Sequence, residues 1–208
     1  MKWLAALLLA GVAAQAAGAE DAPRLFFSRS FPGSAPPYIQ VTVDKSGAVE
    51  YREAVDDDLP LKFKLNPANT AELFGLAEKL DYFKNPLEAP VKVAFMGTKT
   101  FRYENGGEKT EVKFNYSQDV TAQALLDWFE RLAETAQNRI NLERAAKYDH
   151  LGVMKALLVL ETALDRNRLA APEQFLPLLD RIANNEMYMH TARARAAEIA
   201  ETIRNPKK

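Results

Sequence analysis

Between residues 38 and 65 the chain alternates apolar and polar side chains with a period of two. The segments with this pattern are 38–43, 49–52 and 61–65. Such alternation is typical of strands with one face on a core and the other in water. A turn at 44–47 ends in Gly47, where a positive φ is cheap. We expect an earlier strand at 25–31, ahead of a loop rich in proline.

Two further strands form the clearest hairpin, with Asn105-Gly106-Gly107 at its tip. Asn-Gly favours a type I′ turn, because both central residues of that turn need a positive φ. The charged side chains of this hairpin, Lys99 among them, are assigned to the water-facing side. Val91, Val93 and Phe95 alternate just before the hairpin and predict one more strand.

Helical periodicity appears first after Asn66-Pro67, which is a typical helix start. It returns at Ser117 with an apolar stripe that includes Trp128 and Phe129, and it continues to Arg144. This pattern predicts one long helix that bridges two parts of the chain. Three shorter helices are expected after it, within residues 151–164, 172–182 and 191–203.

These elements predict an α+β fold. An antiparallel sheet of five or six strands with packed helices is followed by an all-helical C-terminal tail. We expect three regions: a signal peptide at 1–19, a sheet domain at 20–147 that includes the long helix, and a helical subdomain at 148–208.

The last two helices resemble a HEAT repeat. Phe175-Leu176-Pro177-Leu178-Leu179-Asp180-Arg181-Ile182 is similar to the first helix of such a unit, and the run from Thr191 to Ile203 is similar to the second. The resemblance spans about residues 174–204. It implies a HEAT-like helical hairpin, and because one unit is legible, a short helical cap rather than a stacked array.

The first 19 residues have the three parts of a secretory signal. Lys2 supplies a positive charge, an uncharged apolar run follows, and Ala17-Gly18-Ala19 is a small-residue cleavage site. The apolar run is shorter than the roughly 20 residues that a membrane span needs. We therefore expect cleavage near Ala19, a periplasmic or extracellular product, and no membrane span in the mature chain.

Composition and charge remove several classes of function. The 208 residues include no cysteine, which excludes disulfide scaffolds, thiolate metal sites and cysteine nucleophiles. A formal net charge of −1 gives no reason to expect a nucleic-acid partner. The charge is uneven, however: residues 20–137 carry 14 basic and 19 acidic side chains, and residues 138–208 carry 12 and 9.

Candidate chemistry is sparse in this sequence. His150 and His190 have no metal-ligand spacing between them. Glu53 and residues 56–58 form an acidic cluster, but the calcium-loop pattern is missing, so a solvated loop is favoured over a cation site. We expect no catalytic residue, no metal and no cofactor.

The function favoured by these features is an exported, non-catalytic binding or scaffolding protein of the cell envelope, with another envelope protein as partner. The alternative is a carboxylate-dependent hydrolase whose site assembles only in three dimensions. Residues 187–190 present large side chains in succession, which one helical face cannot bury together. Either this turn is wedged between two packing surfaces, or Tyr188, Met189 and Arg193 contact a protein partner.

Overall fold

A computed structural model describes residues 22–206, and the expected signal at 1–19 lies outside these residues. Its centre is a six-stranded antiparallel sheet, which confirms the predicted α+β class. The strands are β1 (Arg24–Ser30), β2 (Tyr38–Asp44), β3 (Ala48–Arg52), β4 (Leu61–Lys64), β5 (Thr98–Asn105) and β6 (Glu108–Phe114). Their order across the sheet is β4-β3-β2-β1-β5-β6. The two edges are therefore β4 and β6.

Five α-helices accompany the sheet: α1 (Pro67–Lys79), α2 (Val120–Tyr148), α3 (Val153–Asp165), α4 (Leu176–Ala183) and α5 (His190–Arg204). Helix α1 begins as predicted, because the side chain of Asn66 accepts the backbone N–H of Asn69 at 2.8 Å. The predicted long helix is also confirmed: α2 is unbroken over 29 residues. Within residues 22–206, no helix combines the length and the apolar character needed to cross a bilayer.

Two hydrophobic cores share helix α2. Its N-terminal half covers the sheet, where the Phe129 ring stacks on Phe27 with centroids 5.1 Å apart and lies 5.7 Å from Phe101. Its C-terminal half contributes Leu142 and Ala146 to a second core that α3, α4 and α5 complete. The helix is thus part of both cores.

The strand predicted at Val91–Phe95 is wrong. The backbone of residues 90–97 adopts neither strand nor helix, and Val91, Val93 and Phe95 are all exposed. Asn115, just after β6, holds this segment through its side chain: it accepts the N–H of Met96 at 2.7 Å and donates to the carbonyl of Ala94 at 3.0 Å. Side-chain bonds to one residue replace the ladder that a strand would need.

The β5–β6 hairpin forms where expected but with a different turn. Asn105 pairs with Glu108, so the loop consists of Gly106 and Gly107. Only the first of these two has a positive φ, at 55°. A positive φ at the first central residue alone is the arrangement of a type II′ turn rather than type I′.

Trp128 docks α2 against α1. Its ring is buried, and its indole N–H donates to the Glu72 carboxylate at 3.0 Å. We expect Trp128→Ala to lower the free energy of unfolding by about 3–5 kcal/mol, because it removes a large core side chain and leaves a cavity. Urea denaturation measures this loss. Val120→Ala, on the exposed first turn of the same helix, is the control and should change stability little. A loss under about 1 kcal/mol for the tryptophan variant would contradict the packing.

Candidate functional site

A cleft opens between one end of the sheet and helix α2. We call it the Lys99 cleft. Its volume is about 290 Å³, and its walls come from β1, β5, the residues around Asn115, and α2. The charged side chains that line it are Arg29, Lys99 and Glu130, and the apolar ones are Met96, Phe114, Tyr116, Ala122 and Leu126.

The strand register places the two cations side by side. Arg29 lies two residues after Phe27 on β1, and Lys99 lies two residues before Phe101 on β5, so all four share the face of the sheet that packs on α2. Arg29 and Lys99 are direct partners across the two strands. The apolar row of the core therefore ends in a pair of positive charges.

Lys99 is buried, with 6% of its surface exposed. Its ammonium donates to three backbone carbonyls: that of Asn115 at 2.7 Å, of Met96 at 3.2 Å and of Gly97 at 3.4 Å. Three donors thus meet three acceptors. None of these acceptors is a carboxylate, so the hydrogen bonds are satisfied while the charge is not neutralised.

Burial and the neighbouring charges have opposing effects on the pKa of the Lys99 ammonium. Burial lowers the pKa of the Lys99 ammonium, and the neighbouring Arg29 lowers it further, whereas Glu130 and Glu88 raise it. Burial is the largest effect, so the pKa lies below the ordinary value for lysine. The folded protein therefore holds a cation that its surroundings only partly compensate.

Arg29 is the cation that a ligand can reach. Its guanidinium lies 3.8 Å from the Glu130 carboxylate, which is ion-pair distance but too long for a hydrogen bond. Among the described residues, no side-chain hydrogen bond ties the Arg29 guanidinium to a protein acceptor. Its N–H groups are therefore open to an anion, since a guanidinium presents five donors in a planar fork.

This arrangement suits anion binding better than nucleophilic catalysis. A lysine nucleophile needs its lone pair, but all three protons of the Lys99 ammonium are engaged by carbonyl oxygens, which favours the charged form. Two adjacent cations and one carboxylate line the cleft, and the walls around them are largely apolar. The cleft can accept a negatively charged group whose remaining atoms are apolar.

The assignment of Lys99 to the water-facing side is wrong, and Arg29 went unnoticed. Both positions follow from the period-two pattern: Lys99 has the same parity as Phe101 and Tyr103, and Arg29 has that of Leu25 and Phe27. The signal in the sequence was a charged residue that follows the same alternation as the buried side chains of its strand. The charge of Lys99, taken alone, favoured a water-facing position.

Of the three residues proposed for a partner contact, Tyr188 does not lie on the surface. Tyr188 is buried, with 7% of its surface exposed, and its hydroxyl donates to the carbonyl of Ala146 at 2.9 Å. Met189 is exposed and Arg193 is half-buried. The expected helical turn is also absent, because residues 187–189 precede α5 in a non-helical turn. Tyr188 fills the second core; a contact through Met189 and Arg193 stays a prediction.

The remaining candidates are the two histidines and the acidic cluster. The His150 ring meets the edge of Tyr188 at 5.1 Å, while His190 begins α5. Residues 53–58 lie in the loop between β3 and β4, where Asp57 accepts the backbone N–H of Leu59 at 3.0 Å. Within residues 22–206, no three histidine or acidic side chains come close enough to hold a metal ion.

Tyr188→Ala should clearly lower the melting temperature, because it removes a buried ring and leaves the Ala146 carbonyl unpaired. Thermal unfolding followed by circular dichroism measures the shift. Met187→Ala is the matched control, since that neighbouring side chain is exposed and its loss should have little effect. Equal melting of the two variants would contradict a packing role for Tyr188.

The lowered pKa of Lys99 predicts a pH dependence of stability. Between its folded-state pKa and the unfolded value of about 10.4, the unfolded chain binds more protons, so stability rises with pH. Lys99→Met removes this contribution. The difference in unfolding free energy, wild type minus Lys99→Met, should therefore increase as the pH rises toward about 10.4. Contributions that the two proteins share cancel in the difference. A constant or falling difference would contradict the burial of a charged Lys99.

The tail contains the two helices expected from the HEAT resemblance, α4 and α5, which pack on each other within the second core. The first of them starts at Leu176, after a 3₁₀ turn at Pro172–Phe175. The HEAT-like character itself stays a prediction.

No family model matches this chain, and no curated protein is similar to it in sequence.

Proposed function

We propose that this chain is an exported, non-catalytic binding protein of the cell envelope, and that its Lys99 cleft binds a small amphiphilic carboxylate. The observation that carries the proposal is the pair of adjacent cations, Arg29 and Lys99, in a largely apolar cleft. Export rests on the signal pattern of residues 1–19.

The charges of the cleft favour an anionic group. Among the residues that line the cleft, two cations face one carboxylate, that of Glu130. The exposed Glu88, which accepts the backbone N–H of Asn115, also acts on Lys99 but does not line the cleft. A ligand carboxylate would offset the repulsion between Arg29 and Lys99, and it would receive the N–H donors of Arg29. The partial burial of these groups makes such an interaction stronger than it would be in water.

The apolar walls favour a ligand with a short hydrocarbon or aromatic body. Met96, Phe114 and Leu126 stand around the charged end, and the volume of about 290 Å³ is at the small end of known ligand pockets. The cleft is open to solvent on one side. A compact amphiphile therefore fits, with its carboxylate at Arg29 and its apolar body against these walls.

The alternative of a carboxylate-dependent hydrolase gains no specific support. Such chemistry uses a pair of acidic side chains around the scissile bond. Five surface clefts of the described chain each contain a single carboxylate, from Glu130, Glu143, Glu78, Asp149 and Glu134 respectively. Non-catalytic binding is the function that the geometry supports best.

Octanoate should bind to the purified protein saturably, as measured by isothermal titration calorimetry. Arg29→Ala should weaken this binding by about tenfold to a hundredfold, since a hydrogen bond to a charged group contributes about 1.5–3 kcal/mol. Glu130→Gln should strengthen it, because it removes the carboxylate that lines the cleft.

Two controls separate site binding from adsorption. Octylamine has the same apolar body with the opposite charge and should bind poorly. Arg52→Ala removes an arginine from the opposite face of the sheet and should leave octanoate affinity unchanged. Absence of octanoate binding, or equal affinity for octylamine, would contradict the proposal.

A further inference from the structure

A second surface lies far along α2 from the Lys99 cleft. Two neighbouring clefts, of about 470 and 510 Å³, run between the C-terminal half of α2 and helix α3, and Lys155 and Val159 line both. We call this continuous surface the α2–α3 groove. The side chains that characterise it are Arg144, Tyr148, Lys155, Leu158, Val159 and Arg166.

The groove exposes large apolar side chains. Tyr148 is 73% exposed, and Leu158 and Val159 of α3 are also exposed although both neighbouring helices pack into the second core. Isolated apolar side chains are ordinary on a surface, but these three lie along two joined clefts. They form an exposed apolar strip, in which the Lys147 ammonium lies 4.9 Å from the centroid of the Tyr148 ring.

The cations of the groove have no acidic partner in the described chain. Arg144, Lys155 and Arg166 are exposed, and none of them lies within ion-pair distance of a carboxylate among residues 22–206. Arg168 differs, because it pairs with Asp127 at 2.6 Å and with Glu134 at 2.9 Å. Asp149 also lines the groove, so three cations without an ion-pair partner stand against one carboxylate. The groove therefore combines an apolar strip with an excess of positive charge.

The loop between β3 and β4 has the complementary character. Val55 and Leu59 are 74% and 88% exposed, the latter the most exposed large apolar side chain of the described chain. Asp56, Asp57 and Asp58 lie between them, and none of these forms an ion pair with a described residue. Asp57 instead accepts the Leu59 N–H and fixes the turn. The loop follows β3 and precedes the edge strand β4, so it projects from one end of the sheet.

We infer that the α2–α3 groove binds the 53–59 loop of a second copy of this chain. The loop offers two apolar side chains that flank acidic ones, and the groove offers an apolar strip that cations flank. Both surfaces are exposed in the single chain, so neither covers the other within one molecule. Two such contacts, related by a twofold axis, close a dimer with the same pair of surfaces used twice.

The charge distribution along the chain agrees with this pairing. Within the described residues, 22–137 have 14 basic and 17 acidic side chains, a net charge of −3, and 138–206 have 10 and 9, a net charge of +1. The loop belongs to the negative part and the groove to the positive part. Two copies that associate reciprocally bring opposite charges together at both contacts. This inference does not depend on the proposed function of the Lys99 cleft.

Charge reversal tests the pairing, with sedimentation velocity as the readout. The loop variant is Asp56→Lys/Asp58→Lys, and the groove variant is Lys155→Glu/Arg166→Glu. Wild type should dimerise, more weakly as salt rises, because the charges are exposed and screened. Each variant alone should lose at least tenfold in dimer affinity, since its loop and groove then carry like charges.

An equal mixture of the two variants is the decisive sample. The positive loop of one meets the negative groove of the other, and the unchanged loop and groove also match, so the mixture should regain dimer. Lys92→Glu/Lys109→Glu makes the same change in net charge as the groove variant, at exposed lysines outside both surfaces, and should dimerise like wild type. Circular dichroism establishes that every variant is folded. A monomeric wild type, or a mixture that does not pair, would overturn the inference.

Discussion

The packing of Phe129 on Phe27 and Phe101 is the contact on which the rest of the structure depends. It holds α2 across the centre of the sheet, on strands β1 and β5. Because α2 is continuous, the same contact also places Leu142 and Ala146, around which the second core forms. Without this anchor, neither the position of the helical tail nor the wall that α2 gives to the Lys99 cleft would be defined.

The cleft is a consequence of where this packing ends. The aromatic residues Phe27 and Phe101 give way to Arg29 and Lys99 at the next inward-facing position, which is later on β1 and earlier on the antiparallel β5. Charged side chains do not continue the apolar contact with α2, and the cleft lies at this point, with Arg29 3.8 Å from Glu130 of the helix. The carbonyls of residues 96, 97 and 115 then satisfy the Lys99 ammonium, which allows a cation to remain at the end of a hydrophobic layer.

Much of the fold could be predicted from the sequence, because period-two and helical patterns are local properties. Strands β1 to β4, the β5–β6 hairpin and the long helix α2 all appear close to their expected positions. Val91–Phe95 alternates as well, but a strand also needs a pairing partner, which local alternation does not reveal. The site was not predicted because Lys99 was assigned to the water-facing side on its charge. It is two residues from Phe101 and therefore lies on the same, buried face of β5. Tyr188 was harder to place, because its packing depends on a contact with Ala146, 42 residues away.

A helix that belongs to two cores also sets the order in which the chain comes apart. If the tail opens, α2 loses the neighbours of Leu142 and Ala146 but keeps its first turns anchored on the sheet. If α2 loses its contact with the sheet, the tail still packs against the C-terminal half of α2, but the N-terminal half of that helix no longer packs on a hydrophobic core. Local opening should therefore begin in the tail and proceed toward the sheet. Amide protons in the C-terminal turns of α2 would then exchange with solvent sooner than those beside Phe129, although all of them lie on one uninterrupted helix.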